Sequence, residues 1–243
     1  MSLFDPTRQL RDSLPHTANA ALLRAERTVG VRHFAARRVD KTLRLDFFGM
    51  IGDWWEGATA SGVRNRLESE TSVSRLVVRL NTLGGYLHEG LAIYHLLKAY
   101  PAPVTVQVYG LAASAGSLIA MAGDTIEMGT GTEMMVHNAA TCACGEASHM
   151  RDIADSLDSA TLGAAEIYAQ RTGVALEEIR AMMDRTTYLS ARDAVAKGFA
   201  THLVERFEAD PGEGADEDEG EEETGGQTAL LRAALLMQRA RRM

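Results

Sequence analysis

A serine, a histidine and a pair of glycines stand in settings that suit acyl-transfer chemistry. Ser114 lies in the run Y-G-L-A-A-S-A-G (109–116), where an apolar strand ends in glycine and small residues lead into an apolar helix. A serine at such a junction is exposed at the edge of a sheet, with the amide of Ala115 directed to where an oxyanion would form. The same pattern also fits a packing turn in which Ser114 only caps the helix.

A serine nucleophile needs an imidazole near neutral pKa to accept its proton, and His137 is the best placed of the seven histidines. It ends a short apolar strand in M-M-V-H-N (134–138), a position that also suits a half-buried histidine without a catalytic role. Gly84 and Gly85 follow another strand in N-T-L-G-G (81–85). Their amides would be free to bind a peptide or an oxyanion, although paired glycines alone are a common turn signal.

The elements that must position these residues alternate between strands and helices. Short apolar runs rich in β-branched residues predict strands at 43–52, 75–81, 104–110, 124–129, 133–138 and 200–206. Apolar residues at helical spacing predict helices at 56–72, 88–99, 112–123 and 175–183, and a long amphipathic helix at 146–172. This alternation favours an α/β fold with a mostly parallel sheet.

Taken in order, these motifs resemble the ClpP-like serine peptidase family across residues 43–206. The order is N-T-L-G-G, G-L-A-A-S-A-G, M-V-H-N, a long helix that ends in R-T-G, and then Y-L-S-A. The opening G-M-I-G-D-W-W-E-G-A-T-A (49–60) is similar to the bacteriophage branch of the family, the head maturation proteases. The resemblance implies a ClpP/crotonase-like superhelix of ββα units, in which the long helix is the handle that joins subunits.

The resemblance also implies roles for individual residues. Ser114 matches the nucleophile and His137 the general base of the family. The backbone amides of Ala115 and of the Gly84 and Gly85 turn match the oxyanion hole. An extended substrate would bind by adding a strand beside this site. Homo-oligomeric rings are implied as well, and no cofactor or metal is expected.

The third member of the triad is where this sequence departs from the family. The family places an acid two residues before the aromatic residue of Y-L-S-A, and Thr186 occupies that position here. The nearest carboxylate is Asp184, which in an extended segment would face the same side about 6–7 Å away. Three alternatives remain. In the first, Asp184 replaces the acid, and in the second, Thr186 or a water orients the imidazole. In the third, the acid comes from elsewhere or activity is low. Asp184 is taken as the working assignment.

The distribution of charge divides the chain into segments. Ten acidic residues fall within 208–223, which exceeds the whole net charge of −8, and the last fifteen residues carry four arginines. We predict an N-terminal extension (1–40), a peptidase domain (41–207), a disordered acidic linker (208–228) and a short amphipathic basic helix (229–243). Because residues 1–207 together carry a net charge of only −2, nucleic-acid binding is not expected.

Apolar runs and cysteines bear on the compartment. No run is long enough for a membrane span, and the first residues lack the pattern of a signal peptide. We therefore expect a cytoplasmic protein, or one in the host cytoplasm and procapsid interior if it is phage-encoded. Cys142 and Cys144 are expected to be reduced loop residues, since no zinc-binding pattern surrounds them.

The leading hypothesis is an ATP-independent serine endopeptidase that processes capsid and scaffold proteins during prohead maturation. The sequence holds no ATP-binding motif, so any unfoldase would be a separate partner. One alternative is a bacterial Clp-type proteolytic subunit that works with an ATPase. Another is a scaffolding or assembly protein with a ClpP fold and a weakened site. The uncharged Thr186 at the position of the family's acid supports this alternative. A crotonase-type enzyme that acts on acyl-thioesters would not need Ser114 and His137 in these motifs.

Overall fold

A computed structural model describes residues 34–52 and 58–207 of this chain, in which eight strands and six helices are found. The strands are β1 (Phe34–Val39), β2 (Thr42–Ile51), β3 (Arg75–Gly85), β4 (Val104–Ala113), β5 (Thr125–Gly129), β6 (Glu133–Val136), β7 (Thr187–Ser190) and β8 (His202–Val204). The helices are α1 (Ala60–Ser69), α2 (Leu87–Lys98), α3 (Ala115–Ala120), α4 (Ala147–Thr172), α5 (Leu176–Asp184) and α6 (Ala191–Ala196). The predicted α/β class is confirmed. The predicted acidic linker and basic helix, and most of the N-terminal extension, lie outside the described residues.

Parallel strands form the centre of the sheet, in the order β1-β2-β3-β4-β5-β8. The strands from β2 to β5 and β8 run parallel, whereas β1 pairs antiparallel with β2 at the edge. Parallel neighbours need crossover connections, and α1, α2 and α3 lie in the three crossovers from β2 to β5. Among the described residues the sheet includes β1, which lies N-terminal to the domain boundary predicted at residue 41.

Strand β4 pairs with two different strands along its length. Residues 105–108 pair with β5, and residues 111–113 pair with β6. β6 in turn pairs antiparallel with β7. The sheet therefore forks at the end of β4, and Ser114 is the first residue beyond the fork.

The hydrophobic core lies between the sheet and the helices. Along β2 the buried residues Leu43, Leu45 and Phe47 alternate with half-buried ones, which is the period of a strand with one face in the core. The first five residues of β4 are all buried, as is typical of a central parallel strand. Full burial of each large apolar side chain stabilises the fold by about 1.5–3 kcal/mol. The core thus fixes the strands that end at the site.

The paired glycines mark a close strand pairing and not the turn predicted from the sequence. Gly84 and Gly85 end β3 and pair with Met50 and Ile51 of β2. A Cβ on Gly85 would collide with the carbonyl oxygen of Ile51, and its φ of 153° favours glycine. β4 likewise runs up to Ser114, so the helix predicted after it is shorter than expected. Both strand ends therefore reach the site as regular backbone.

The long amphipathic helix predicted at 146–172 is confirmed as α4, which spans 26 residues. The residues that it buries, Ala164, Ala165 and Tyr168, all belong to its C-terminal part. Its earlier turns are exposed or half-buried within the described chain. One end of α4 therefore packs against the core, while the rest extends along the surface of the chain.

Candidate active site

Ser114 lies at the junction between β4 and α3 in a strained backbone conformation. Its φ is 53° and its ψ is −122°, and such a geometry costs a residue other than glycine about 1–3 kcal/mol. The backbone is held on both sides, because Ser114 N donates to Met135 O at 2.9 Å and Ser114 O accepts from Ser117 N at 3.0 Å. The hydroxyl makes no capping hydrogen bond to α3. The interpretation of this serine as a simple helix cap is therefore not supported.

The hydroxyl of Ser114 lies beside the ring of His137, with Ser114 Oγ and His137 Nε2 2.7 Å apart. His137 directly follows β6, and the pairing of Ala113 with Met135 aligns the ends of β4 and β6. The forked sheet therefore brings together two residues that are 23 positions apart. The distance is within the range for proton transfer from a hydroxyl to an imidazole.

Burial sets the protonation state of His137. The side chain is half-buried, and this burial lowers the pKa of His137 because the charged imidazolium loses hydration. The ring is therefore neutral at pH 7. To accept the Ser114 hydroxyl hydrogen at Nε2, the neutral ring must carry its own proton on Nδ1.

Asp184 contacts the neighbour of His137 and not the imidazole. Its Oδ1 accepts from Asn138 Nδ2 at 2.9 Å, at the exposed C-terminal end of α5. Across the described residues no acidic side chain is hydrogen-bonded to the ring of His137. The amide oxygen of the same side chain, Asn138 Oδ1, is buried and has no hydrogen-bond partner among the described residues.

Thr186 and His137 each lie one residue beyond the pairing of β6 with β7. The last pair of that antiparallel register is Val136 with Thr187. The φ of Thr186 is 51°, which is unusual for a β-branched residue. The residue that directly precedes β7, where the family places its acid, therefore carries no charge here.

Gly84 packs directly against the nucleophile. A Cβ added to it would lie 2.7 Å from Ser114 Cβ and 3.0 Å from Ala115 N, and its φ of 97° also favours glycine. Its amide donates to Thr82 Oγ1 at 3.0 Å. This engagement counts against the predicted role of the Gly84 amide as an oxyanion donor. What Gly84 supplies is space beside Ser114.

Of the other two predicted oxyanion donors, Ala115 borders the same space, whereas the Cβ position of Gly85 faces Ile51 of β2. Gly85 follows at the exposed end of β3. Ala115 is the first residue of α3, and its amide donates no hydrogen bond to any described residue. A free amide of this kind is what a developing oxyanion requires.

Sequence reasoning missed the buried hydroxyls behind the nucleophile. Ser117 Oγ donates to Ser114 O at 2.6 Å, and the hydroxyl of Tyr168 lies 2.8 Å from Ser117 Oγ. Tyr168 comes from α4, 51 positions away from Ser117 in the sequence. The sequence signal that could have revealed this contact is a tyrosine among the apolar residues of that helix, because a buried tyrosine hydroxyl usually has a hydrogen-bond partner.

The described part of the chain holds no group of three or more His, Cys, Asp or Glu side chains that could bind a metal ion. Cys142 and Cys144 are exposed in the segment between β6 and α4. Among the described helices, none has the length and apolar character to cross a membrane.

Two comparisons with known proteins agree with this architecture. The family model described as Clp protease matches residues 63–207, which is more than half of the chain. Among solved structures, a mutant of ClpP1 from Listeria monocytogenes is similar with a TM-score of 0.59 and 23% sequence identity. That likeness covers 67% of this chain and 91% of the Listeria chain, and it confirms the ClpP-like fold. On the match of the family model, this chain belongs to the Clp protease family.

Proposed function

We propose that this chain is a ClpP-type serine endopeptidase, with Ser114 as nucleophile and His137 as general base. The observation that carries the proposal is the 2.7 Å distance between Ser114 Oγ and His137 Nε2 at the fork of the sheet. Membership of the Clp protease family supports hydrolysis of peptide bonds as the reaction.

In the first step Ser114 Oγ attacks the carbonyl carbon of the scissile bond while its proton passes to His137 Nε2. The electron pair of the carbonyl moves onto its oxygen, and the resulting oxyanion is stabilised by the amides of Ala115 and Gly85. The C–N bond then breaks, and His137 gives its proton to the leaving amine. Water, deprotonated by His137, hydrolyses the acyl-Ser114 ester and restores the site.

We assign Asp184 a positioning role that it exerts through Asn138. Its carboxylate tethers the residue after His137 to the end of α5. An acid bonded directly to the imidazole would fix the tautomer and stabilise the imidazolium. Asp184 does neither directly, so we expect a slower enzyme than one with a complete triad.

The proposed substrates are capsid and scaffold proteins of a bacteriophage prohead. The likeness of segment 49–60 to head maturation proteases supports this assignment. A peptidase confined with its substrates acts few times per particle, so it tolerates a weakly supported base. The uncharged residue at position 186 equally favours the alternative of an assembly protein with a weakened site. A proteolytic subunit that works with an ATPase is the remaining alternative.

We propose that α4 makes subunit contacts in a homo-oligomeric ring. Met150 and Leu162 lie in its surface part, with exposed fractions of 40% and 41%. Large apolar side chains on an otherwise polar helix surface are typical of an area that another chain covers. A second copy of this chain would supply that cover.

Co-expression of wild type or Ser114→Ala with candidate capsid and scaffold proteins tests both reaction and substrate class. We expect wild type to cleave them at defined sites, detected by intact mass. Ser114→Ala should lower the cleavage rate at least about a thousandfold, because the nucleophile is removed. Ser69→Ala, which removes an exposed serine hydroxyl at the end of α1, should cleave like wild type.

Three outcomes would contradict this proposal in different ways. Equal cleavage by wild type and Ser114→Ala would exclude Ser114 as the nucleophile. Normal particle assembly without cleavage by either would favour the assembly protein. Cleavage only after addition of an ATPase would favour the Clp-type subunit.

The lowered pKa of His137 predicts the position of the acid limb in the activity profile. Because the base must be neutral, kcat/KM should rise as pH increases through the pKa of His137 and then level off. Burial lowers this pKa, so the midpoint should lie below the ordinary value of about 6.5. Peptide hydrolysis measured across pH at constant ionic strength checks this. A midpoint above that value would show that a negative charge stabilises the imidazolium after all.

Thr186→Asp should convert the pair into a triad. Aspartate accepts a positive φ more readily than threonine, and we propose that its carboxylate, at the position where the family places its acid, reaches His137 Nδ1. We expect kcat to rise about tenfold or more, and the acid limb to move to higher pH because a nearby carboxylate raises the pKa of imidazole. Thr186→Asn, similar in shape but uncharged, should change neither. Identical behaviour of the two variants would mean that residue 186 does not face the ring.

A further inference from the structure

Ser117 and Tyr168 form a buried chain of hydrogen bonds that ends on the backbone of Ser114. Ser117 Oγ donates to Ser114 O at 2.6 Å, and Tyr168 Oη lies 2.8 Å from Ser117 Oγ. Ser117 is 0% exposed and Tyr168 is 2% exposed. Neither side chain takes part in the chemical steps described above, so the pair calls for another explanation.

The number of available protons fixes the direction of both hydrogen bonds. A serine hydroxyl has one hydrogen, and Ser117 donates it to Ser114 O. Tyr168 must therefore be the donor to Ser117. Burial raises the pKa of Tyr168, so its phenol keeps the proton at any pH near neutrality.

The carbonyl at the end of this chain shares its peptide unit with the amide of Ala115. In a trans peptide the C=O and the N–H lie in one plane and point in opposite directions. A bond that holds Ser114 C=O towards Ser117 therefore holds Ala115 N–H on the opposite side. Gly84 leaves space next to this amide, because a Cβ on it would come within 3.0 Å of Ala115 N.

The hydroxyl bond is the shortest of the three that hold this carbonyl. The amides of Ser117 and Leu118 also donate to Ser114 O, at 3.0 and 3.3 Å. Rotation of this peptide would change the ψ of Ser114, which is −122°, and leave its φ of 53° unchanged. Such a rotation would remove the amide and turn a carbonyl oxygen towards the place of the oxyanion.

We propose that Ser117 and Tyr168 are positioning residues that keep the Ser114–Ala115 peptide oriented with the Ala115 amide facing the oxyanion. The inference rests on the proposed peptidase function, because only that reaction develops an oxyanion there. It assigns α4 a part in the site, since Tyr168 belongs to that helix.

Ser117→Ala and Tyr168→Phe test the proposal in the full chain with a peptide substrate. We expect Ser117→Ala to lower kcat about tenfold to a hundredfold with KM nearly unchanged, because the amide binds the transition state more strongly than the substrate. Tyr168→Phe should have a smaller effect of the same kind, since Ser117 keeps its own bond to Ser114. The double variant should be no slower than Ser117→Ala, because the two hydroxyls act in series. The acid limb due to His137 should not move.

Thr132→Val is the matched control. It removes a buried hydroxyl that donates to Gly129 O at 2.8 Å, at the end of β6 remote from His137. We expect Thr132→Val to lose about as much thermal stability as Ser117→Ala and to keep the kcat of the wild type. Wild-type kcat in Ser117→Ala, or an equal decrease in Thr132→Val, would overturn the proposal.

A crystal structure of Ser117→Ala separates this inference from the proposed function. We expect the Ser114–Ala115 peptide to be rotated or to occupy two orientations. If wild type proves to have no peptidase activity, the orientation of the Ser114–Ala115 peptide in the crystal structure of Ser117→Ala decides whether the positioning role holds. A rotated peptide then supports the positioning role, and an unchanged peptide overturns it.

Discussion

The hydrogen bond from Ser114 N to Met135 O is the interaction on which the rest of the site depends. It joins the turn at the end of β4 to the strand that precedes His137, so a backbone pairing sets the distance between hydroxyl and imidazole. It exists because β4 leaves β5 and takes β6 as its neighbour at the fork of the sheet. A sheet resists deformation better than a loop, which allows the strained φ of Ser114 to persist.

The same architecture makes His137 an available base but a weakly supported one. Burial lowers the pKa of His137, so the ring is neutral and ready to accept a proton at pH 7. The imidazolium that then forms has no carboxylate bonded to it in the described chain, because Asp184 is engaged by Asn138. A base of lowered pKa also has a smaller driving force for proton transfer. The surroundings of the His137 ring therefore have two opposing effects. They keep the ring neutral and able to accept a proton, and they leave the imidazolium poorly stabilised.

Apolar runs and glycine turns, which are contiguous in the sequence, predicted six of the eight described strands and five of the six described helices, but not β1, β7 or α6. That Ser114 and His137 would meet was implied by the resemblance of the ordered motifs to the ClpP-like family. The partners of Asp184 and Tyr168 could not be predicted in this way. Their contacts join residues 46 and 51 positions apart and depend on how helices pack against the forked sheet. The strand ends were also underestimated, because glycines that usually mark turns here allow close pairing with β2.

Labelling with a fluorophosphonate tests most directly the claim that His137 activates Ser114. The reagent forms a bond between phosphorus and a serine oxygen as fluoride leaves, and it reacts rapidly only where a base removes the hydroxyl proton. We predict one adduct on Ser114 of the wild-type chain, seen by intact mass and peptide mapping. His137→Ala should slow labelling at least about a thousandfold. An unlabelled Ser114 in folded wild type, or labelling that His137→Ala leaves unchanged, would contradict the account.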